Sequence, residues 1–203
     1  MFVERRNLLN NILLIATAYS ASVDCPNLIN LAQGLEIQSQ QATIWTQLNG
    51  DCCFADGVVC DINQRVTQIT WNSKGLGGFI NGTAIPPGVT ILNLNTNNLF
   101  GSIPNMLPIG LVTLKLDKNQ LTGDFPNSLP TNLIDLDISV NKLTGNILNL
   151  PNNLVLLSVE GNQLNGILPT FPLTLQYVYL GYPGYPGNHF TGTLRLKNHM
   201  SCI

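Results

Sequence analysis

The chain has 203 residues, 9 basic against 11 acidic, and a formal net charge of −2. That length suits one domain or slightly more, and near-neutrality excludes the concentrated basic surface that nucleic-acid binding requires. Hydrophobic residues make up 44% and charged ones 10%; with the usual charged share at about 25%, a disordered, charge-rich chain is excluded as well. Leucine and asparagine supply 33 and 26 residues, a bias that points to an internal repeat.

The amino terminus reads as a signal peptide over residues 1–20. Arg5 and Arg6 precede an apolar stretch from Ile12 to Ala18, and small residues at Ala18 and Ser20 suit cleavage after Ser20. No other stretch approaches the roughly 18–20 apolar residues of a membrane span. The mature chain is therefore expected outside the cell, with no membrane insertion of its own.

Residues 21–65 form a cap segment before the repeats. It holds Cys25, Asp51-Cys52-Cys53, Gly57-Val58-Val59-Cys60-Asp61 and Arg65. Five cysteines in a secreted chain imply bridges with one thiol left over. Adjacent Cys52 and Cys53 do not easily pair with each other, so each needs its own partner. A zinc site from Cys52, Cys53 and Cys60 is the rival reading, but the spacing fits zinc ligands poorly and secretion disfavours it.

From Val66 to Leu194 one frame recurs six times at 21–23 residues. Val89, Leu92, Leu94, Asn97, Leu99, Gly101, Ile103 and Pro104 set the pattern L-x-x-L-x-L-x-x-N-x-L-x-G-x-I-P. It returns from Leu111, Leu133, Leu154 and Leu175, the last copy carrying five extra residues between Leu180 and Asn188. The first copy, from Val66, has Lys74 in place of the asparagine. A second marker is independent: Pro86, Pro108, Pro130, Pro151 and Pro172 each stand three residues before a leading apolar position. Alternation L-x-L predicts a short strand with one buried face, and so short a unit must stack on its neighbours to bury that face. Asn97, Asn119, Asn141, Asn162 and Asn188 are expected to form a ladder of buried amides that turns the chain out of each strand. Gly allows the tight return and Pro fixes the end of the coil. Six parallel strands at about 4.8 Å spacing predict a concave sheet roughly 24 Å long.

The cap motif and the repeats together resemble plant-type leucine-rich repeat proteins, over about residues 25–194. The resemblance implies an α/β repeat solenoid, mostly β: a right-handed coil with a concave parallel sheet and a short helical, disulfide-bonded amino-terminal cap. It also implies the bridges Cys25–Cys52 and Cys53–Cys60. That class includes polygalacturonase-inhibitor-like secreted proteins, which regulate wall-degrading glycosidases, and receptor-like ectodomains. The tail, residues 195–203, is too short for a polar carboxyl-terminal cap. It suggests a fragment, or an open end where Cys202 bridges to another chain or a partner or second copy docks.

Sequence motifs for catalysis are lacking: there is no H-E-x-x-H, G-x-S-x-G or phosphate loop. Asp135 and Asp137 share a strand face and could do acid–base work, but exposed positions of a repeat strand are commonly acidic, so no enzyme and no cofactor are expected. Asn81-Gly82-Thr83 is the glycosylation sequon. Between the buried positions, one outward column runs Thr70, Asn93, Lys115, Asp137, Ser158, Tyr179, and the next Asn72, Asn95, Asp117, Ser139, Glu160, Gly181. The expected function is extracellular recognition of a protein or cell-wall polysaccharide, by Lys115, Asp117, Lys118, Asp135, Asp137, Tyr177, Tyr179 and Tyr182, beside the inserted loop from Gly181 to Gly187. A fragment of a membrane-anchored receptor ectodomain and a structural wall or matrix protein are the alternatives.

Overall fold

The computed structural model describes residues 22–35, 51–181 and 187–192, with the backbone of residues 201 and 202. The signal peptide expected at 1–20, Tyr182 and most of the tail lie outside the described residues. Helix α1, Cys25–Gly34, has Pro26 in its first turn, where no intrahelical N–H is needed. It buries Cys25, Leu28, Leu31 and Ala32 on one face. Asp24 precedes it, and its carboxylate is turned away from the helix. It accepts from Arg65 Nε at 3.0 Å, Arg65 Nη2 at 3.2 Å and the Val66 amide at 2.9 Å. A buried charge thereby fastens the helix to the first repeat.

The bridges are Cys25–Cys52 and Cys53–Cys60, the pairing implied by the resemblance. Between them a single 3-10 turn, Cys52–Phe54, starts with the Asp51 side chain accepting from the Cys53 amide. Strand β1, Val58–Cys60, pairs antiparallel with β2, Val66–Thr70. Gly57 enters β1 at φ 75°, where a Cβ would collide with the Thr70 carbonyl oxygen, so the motif glycine is required by the backbone. Trp71, fully buried, donates from Nε1 to the Asp56 carbonyl and closes the cap over the first coil.

The repeats then supply β3 (Ile91–Asn93), β4 (Thr113–Lys115), β5 (Asp135–Asp137), β6 (Leu156–Ser158) and β8 (Tyr177–Tyr179). With β2 they pair in parallel, in register Ile69↔Leu92↔Leu114↔Leu136↔Leu157↔Val178. These central residues are all buried, and the residues on either side of them face outward on the concave side. The proline marker has a direct cause. Pro86, Pro108, Pro130, Pro151 and Pro172 each accept, through their carbonyl, from the amide three residues on, which is the leading apolar residue. Each proline thus opens a one-turn reversal into the next strand. The frame glycines, Gly78, Gly101, Gly123, Gly145, Gly166 and Gly192, all have φ between 73° and 94°. A smaller outer sheet pairs β7 (Asn165–Ile167) with β9 (His189–Thr191).

The main sheet runs β1-β2-β3-β4-β5-β6-β8-β10, where β10 is Ser201–Cys202 in parallel pairing with Tyr177 and Val178 of β8. The repeat frame gave no sign of this strand, since the tail carries no copy of the pattern. The tail backbone thus covers the edge of β8 that a six-strand sheet would leave open.

Candidate functional site: the concave face

The ladder makes the face rigid. Asn141 Nδ2 donates to the carbonyls of Leu116, Ile138 and Ser139 at 3.0–3.1 Å, and Asn141 Oδ1 accepts from the Leu121 amide at 2.9 Å. Asn97, Asn119 and Asn162 repeat this geometry one coil apart. Asn188 keeps the ladder bonds to Val159 and Leu180 across the inserted loop, so the extra residues leave the coil closed. One residue before the ladder position of the first five copies the chain is left-handed, at Ser73, Thr96, Lys118, Val140 and Gly161.

Three columns cross the concave side in register. The first is Gln68, Ile91, Thr113, Asp135, Leu156, Tyr177; the second is Thr70, Asn93, Lys115, Asp137, Ser158, Tyr179. The third, just beyond the strands, holds Asn72, Asn95, Asp117, Ser139, Glu160 and Gly181. Lys115, Asp135, Asp137, Tyr177 and Tyr179 thus lie on adjacent strands. Lys118 does not stand at a strand position: it follows β4 in the left-handed turn and is exposed. Tyr182 lies outside the described residues.

Charge is concentrated in the middle of this face. Lys115 Nζ sits 3.2 Å from Asp135 Oδ2. Asp137 Oδ1 accepts from the Ser139 amide at 3.1 Å and the Ser139 hydroxyl at 2.7 Å. The Ser158 hydroxyl donates to Glu160 Oε2 at 2.9 Å. Asp117 is only 7% exposed. Burial pushes its carboxyl above the usual carboxylate value, and the charge of Asp137 pushes it further. Glu160 is raised in the same way, first by burial, then by the like charges of Asp137 and Asp117. Buried oxygens without a hydrogen-bond partner include Asn95 Oδ1, Asp117 Oδ1 and Asp135 Oδ1, all acceptors on this face. Reading along the sequence places Asn95 and Glu160 in an outward column but not among the binding residues, and it does not mark Leu156, which stands between Asp135 and Tyr177 and is half-buried. Their significance comes from neighbours one coil away.

Surface grooves lie elsewhere, on the flank formed by segments that precede the strands, lined by residues such as Met106, Ile109, Leu129 and Pro130. The zinc reading for Cys52, Cys53 and Cys60 is overturned by the two bridges, which consume all three thiols. Asn81 Oδ1 accepts from the amide and the hydroxyl of Thr83, at 3.2 and 2.8 Å, which holds the sequon in a tight turn with Thr83 exposed. Among the described residues no helix is long and apolar enough to cross a membrane.

No protein-family model matches the chain, and no curated protein matches it. Solved structures do. A chain of the BIR3–SERK2 complex from Arabidopsis thaliana is 28% identical with a TM-score of 0.59, over 80% of this chain and 94% of that one. The leucine-rich-repeat ectodomain of the Arabidopsis receptor kinase SOBIR1 matches in fold at 24% identity and TM-score 0.67, over 86% of this chain and 100% of that one. The complex of the Arabidopsis receptor kinase HAESA with the peptide hormone IDA and the co-receptor SERK1 gives 28% identity and TM-score 0.68; 83% of this chain aligns with 30% of that one. The cap disulfides and these ectodomain neighbours fit an extracellular location. In fold, the chain is a leucine-rich-repeat solenoid with a disulfide-bonded helical cap, of the kind seen in receptor-kinase ectodomains.

Proposed function

We propose that the chain is a secreted or cell-surface recognition module that takes a protein partner along the carboxyl-terminal half of its concave face. The observation that carries this is the continuous strip across β4, β5, β6 and β8, where Lys115, Asp135 and Asp137 give way to Leu156, Tyr177 and Tyr179 in strict register. Charged side chains beside half-exposed tyrosines on a rigid sheet suit a protein interface, because tyrosine adds contact area at little entropic cost. The printed partners of similar structures, a peptide hormone with a co-receptor for HAESA and SERK2 for BIR3, support a protein over a polysaccharide. Asp117 and Lys118 extend the strip at its edge, Tyr182 continues it by sequence, and residues 1–20 export the chain. Asn81 carries a glycan on the opposite half of the molecule. The role is binding rather than catalysis: Asp135 is engaged by Lys115 and Asp137 by Ser139.

The test is affinity capture from extracellular extract followed by titration of variants. Tyr179→Ala should weaken the captured partner by about 2 kcal/mol, roughly thirtyfold. Lys118→Ala, an exposed charge at the rim, should change affinity by less than about fivefold. Normal binding by Tyr179→Ala, with loss in Asn72→Ala at the other end, would place the site elsewhere.

A further inference from the structure

The middle of the concave face has more acids than cations. Around Lys115 and Lys118 stand Asp117, Asp135, Asp137 and Glu160. Lys115 is committed to Asp135, and Lys118 lies exposed in its turn, so Asp117, Asp137 and Glu160 face one another with no cation bonded to them among the described residues. Independently of that charge count, Asp117 is only 7% exposed, and although the Asn95 side chain bonds to its carboxylate, Oδ1 of Asp117 has no partner, and neither has Oδ1 of Asn95. An ionised carboxylate can only accept hydrogen bonds. A buried carboxylate oxygen left without a partner is costly, and its natural complement is a donor that also carries positive charge.

A metal ion does not fit. Among the described residues the three ligand atoms that come within 4.8 Å of one another are those of Cys25, Asp51 and Cys52, two of them spent in a disulfide. The carboxylates of Asp117, Asp137 and Glu160 are spread too widely to close on one ion. They form a strip one residue per coil, and strands in a sheet lie about 4.8 Å apart. Same-face side chains of an extended peptide recur at about 6.6–6.8 Å, and long, flexible arginine or lysine side chains, each with several donors, make up the difference.

Resting on the concave-face reading above, we propose that the protein partner presents a basic segment, with arginine or lysine side chains laid across Asp117, Asp137 and Glu160. Lys115 then tunes the strip by neutralising Asp135. Leu156 and Tyr177 border the acidic strip and receive the apolar stems of the same side chains.

Dye-labelled hexa-arginine and hexa-glutamate peptides titrated into the full chain test this. Hexa-arginine should bind and hexa-glutamate should not, with binding weakened by added salt. The combined variant Asp117→Asn, Asp137→Asn, Glu160→Gln should lose at least about tenfold in affinity for hexa-arginine. Asp124→Asn, which removes one carboxylate charge at the isolated bridge with Thr144, outside the concave sheet, should change nothing. Lys115→Met should tighten binding, an effect no purely structural role for the acids explains. Equal binding of both peptides, or an unaltered affinity in the triple variant when its melting curve shows it folded, overturns the proposal. A captured partner that is lost with Tyr179→Ala but kept by the triple variant would sink the basic-segment inference alone. Hexa-arginine binding that needs the acids but survives Tyr179→Ala would instead sink the placement around the tyrosines.

Discussion

Removing one rung of the asparagine ladder has a cost that can be worked out bond by bond. In Asn141→Ala four contacts vanish, but they are not equal. The Leu116 carbonyl keeps a second donor from Asn119, and the Ile138 carbonyl keeps one from Asn162. The Ser139 carbonyl still accepts from the Lys118 amide of the preceding coil. The Leu121 amide is different, because Asn141 Oδ1 is its recorded acceptor. One buried N–H is orphaned, at about 1–3 kcal/mol, and a small void is added. A loss of about 2 kcal/mol should lower the melting temperature by about 4–8 °C for a chain of this size. Asn141→Asp sharpens the test. Its carboxylate satisfies the Leu121 amide but turns a donor into an acceptor facing three carbonyl oxygens, so at neutral pH it should be worse than alanine despite its closer shape. Scanning calorimetry or circular-dichroism melts of both variants decide it. An aspartate variant as stable as the parent, or an alanine variant with an unchanged melt, would refute the ladder's energetic role.

Two further predictions follow from backbone and charge. Val140 is a β-branched residue held at φ 52°, a conformation costing about 1–2 kcal/mol for side chains other than glycine or asparagine; Val140→Asn should therefore raise the melting temperature by about 2–4 °C, and a lower value would show that the valine's packing outweighs its strain. Asp117 has its carboxyl raised in the folded chain, first by burial and then by Asp137, so the ionised form destabilises the fold above the raised value and the penalty disappears below the ordinary value of 3.8. Asp117→Asn should then melt higher than the parent at pH 7 and show a shrinking advantage as the pH falls through the carboxylate range; melts across that range check it, and a variant less stable at pH 7 contradicts it.

The repeat frame was legible because it is written in residues whose physical demands are narrow. Leu114 and Leu136 mark buried strand centres, Asn119 marks a rung, and Gly123 marks a left-handed turn, and the register of the sheet follows from their spacing alone. The cap pairing was legible only through resemblance, since five cysteines allow many connectivities. What stayed hidden depends on contacts between coils. The parallel pairing of Ser201–Cys202 with β8 involves a stretch with no repeat pattern. Lys118 is grouped by sequence with the face residues although it stands in a left-handed turn, which the frame does not reveal. Glu160 reads along the chain as one polar residue among several, yet its raised carboxyl depends on Asp137 and Asp117, one and two coils away.

Stability and recognition pull in opposite directions on this face. A solenoid is held together by contacts between neighbouring coils, so the coils that carry Asp117, Asp137 and Glu160 must absorb like-charge repulsion from within their own stack. They do so with a continuous apolar core, mostly leucine, from Leu111 to Leu164 and with paired ladder bonds at Asn119, Asn141 and Asn162, each at most 8% exposed. Locally unfavourable groups tolerated by strong surroundings are the usual mark of a site whose complement arrives from outside. A partner that brings positive charge removes the repulsion it finds there, and so couples binding to the stability of the middle coils. The same substitution, Asp117→Asn, should then strengthen the free fold and weaken the complex, whereas a carboxylate with a purely structural role would change both in the same sense.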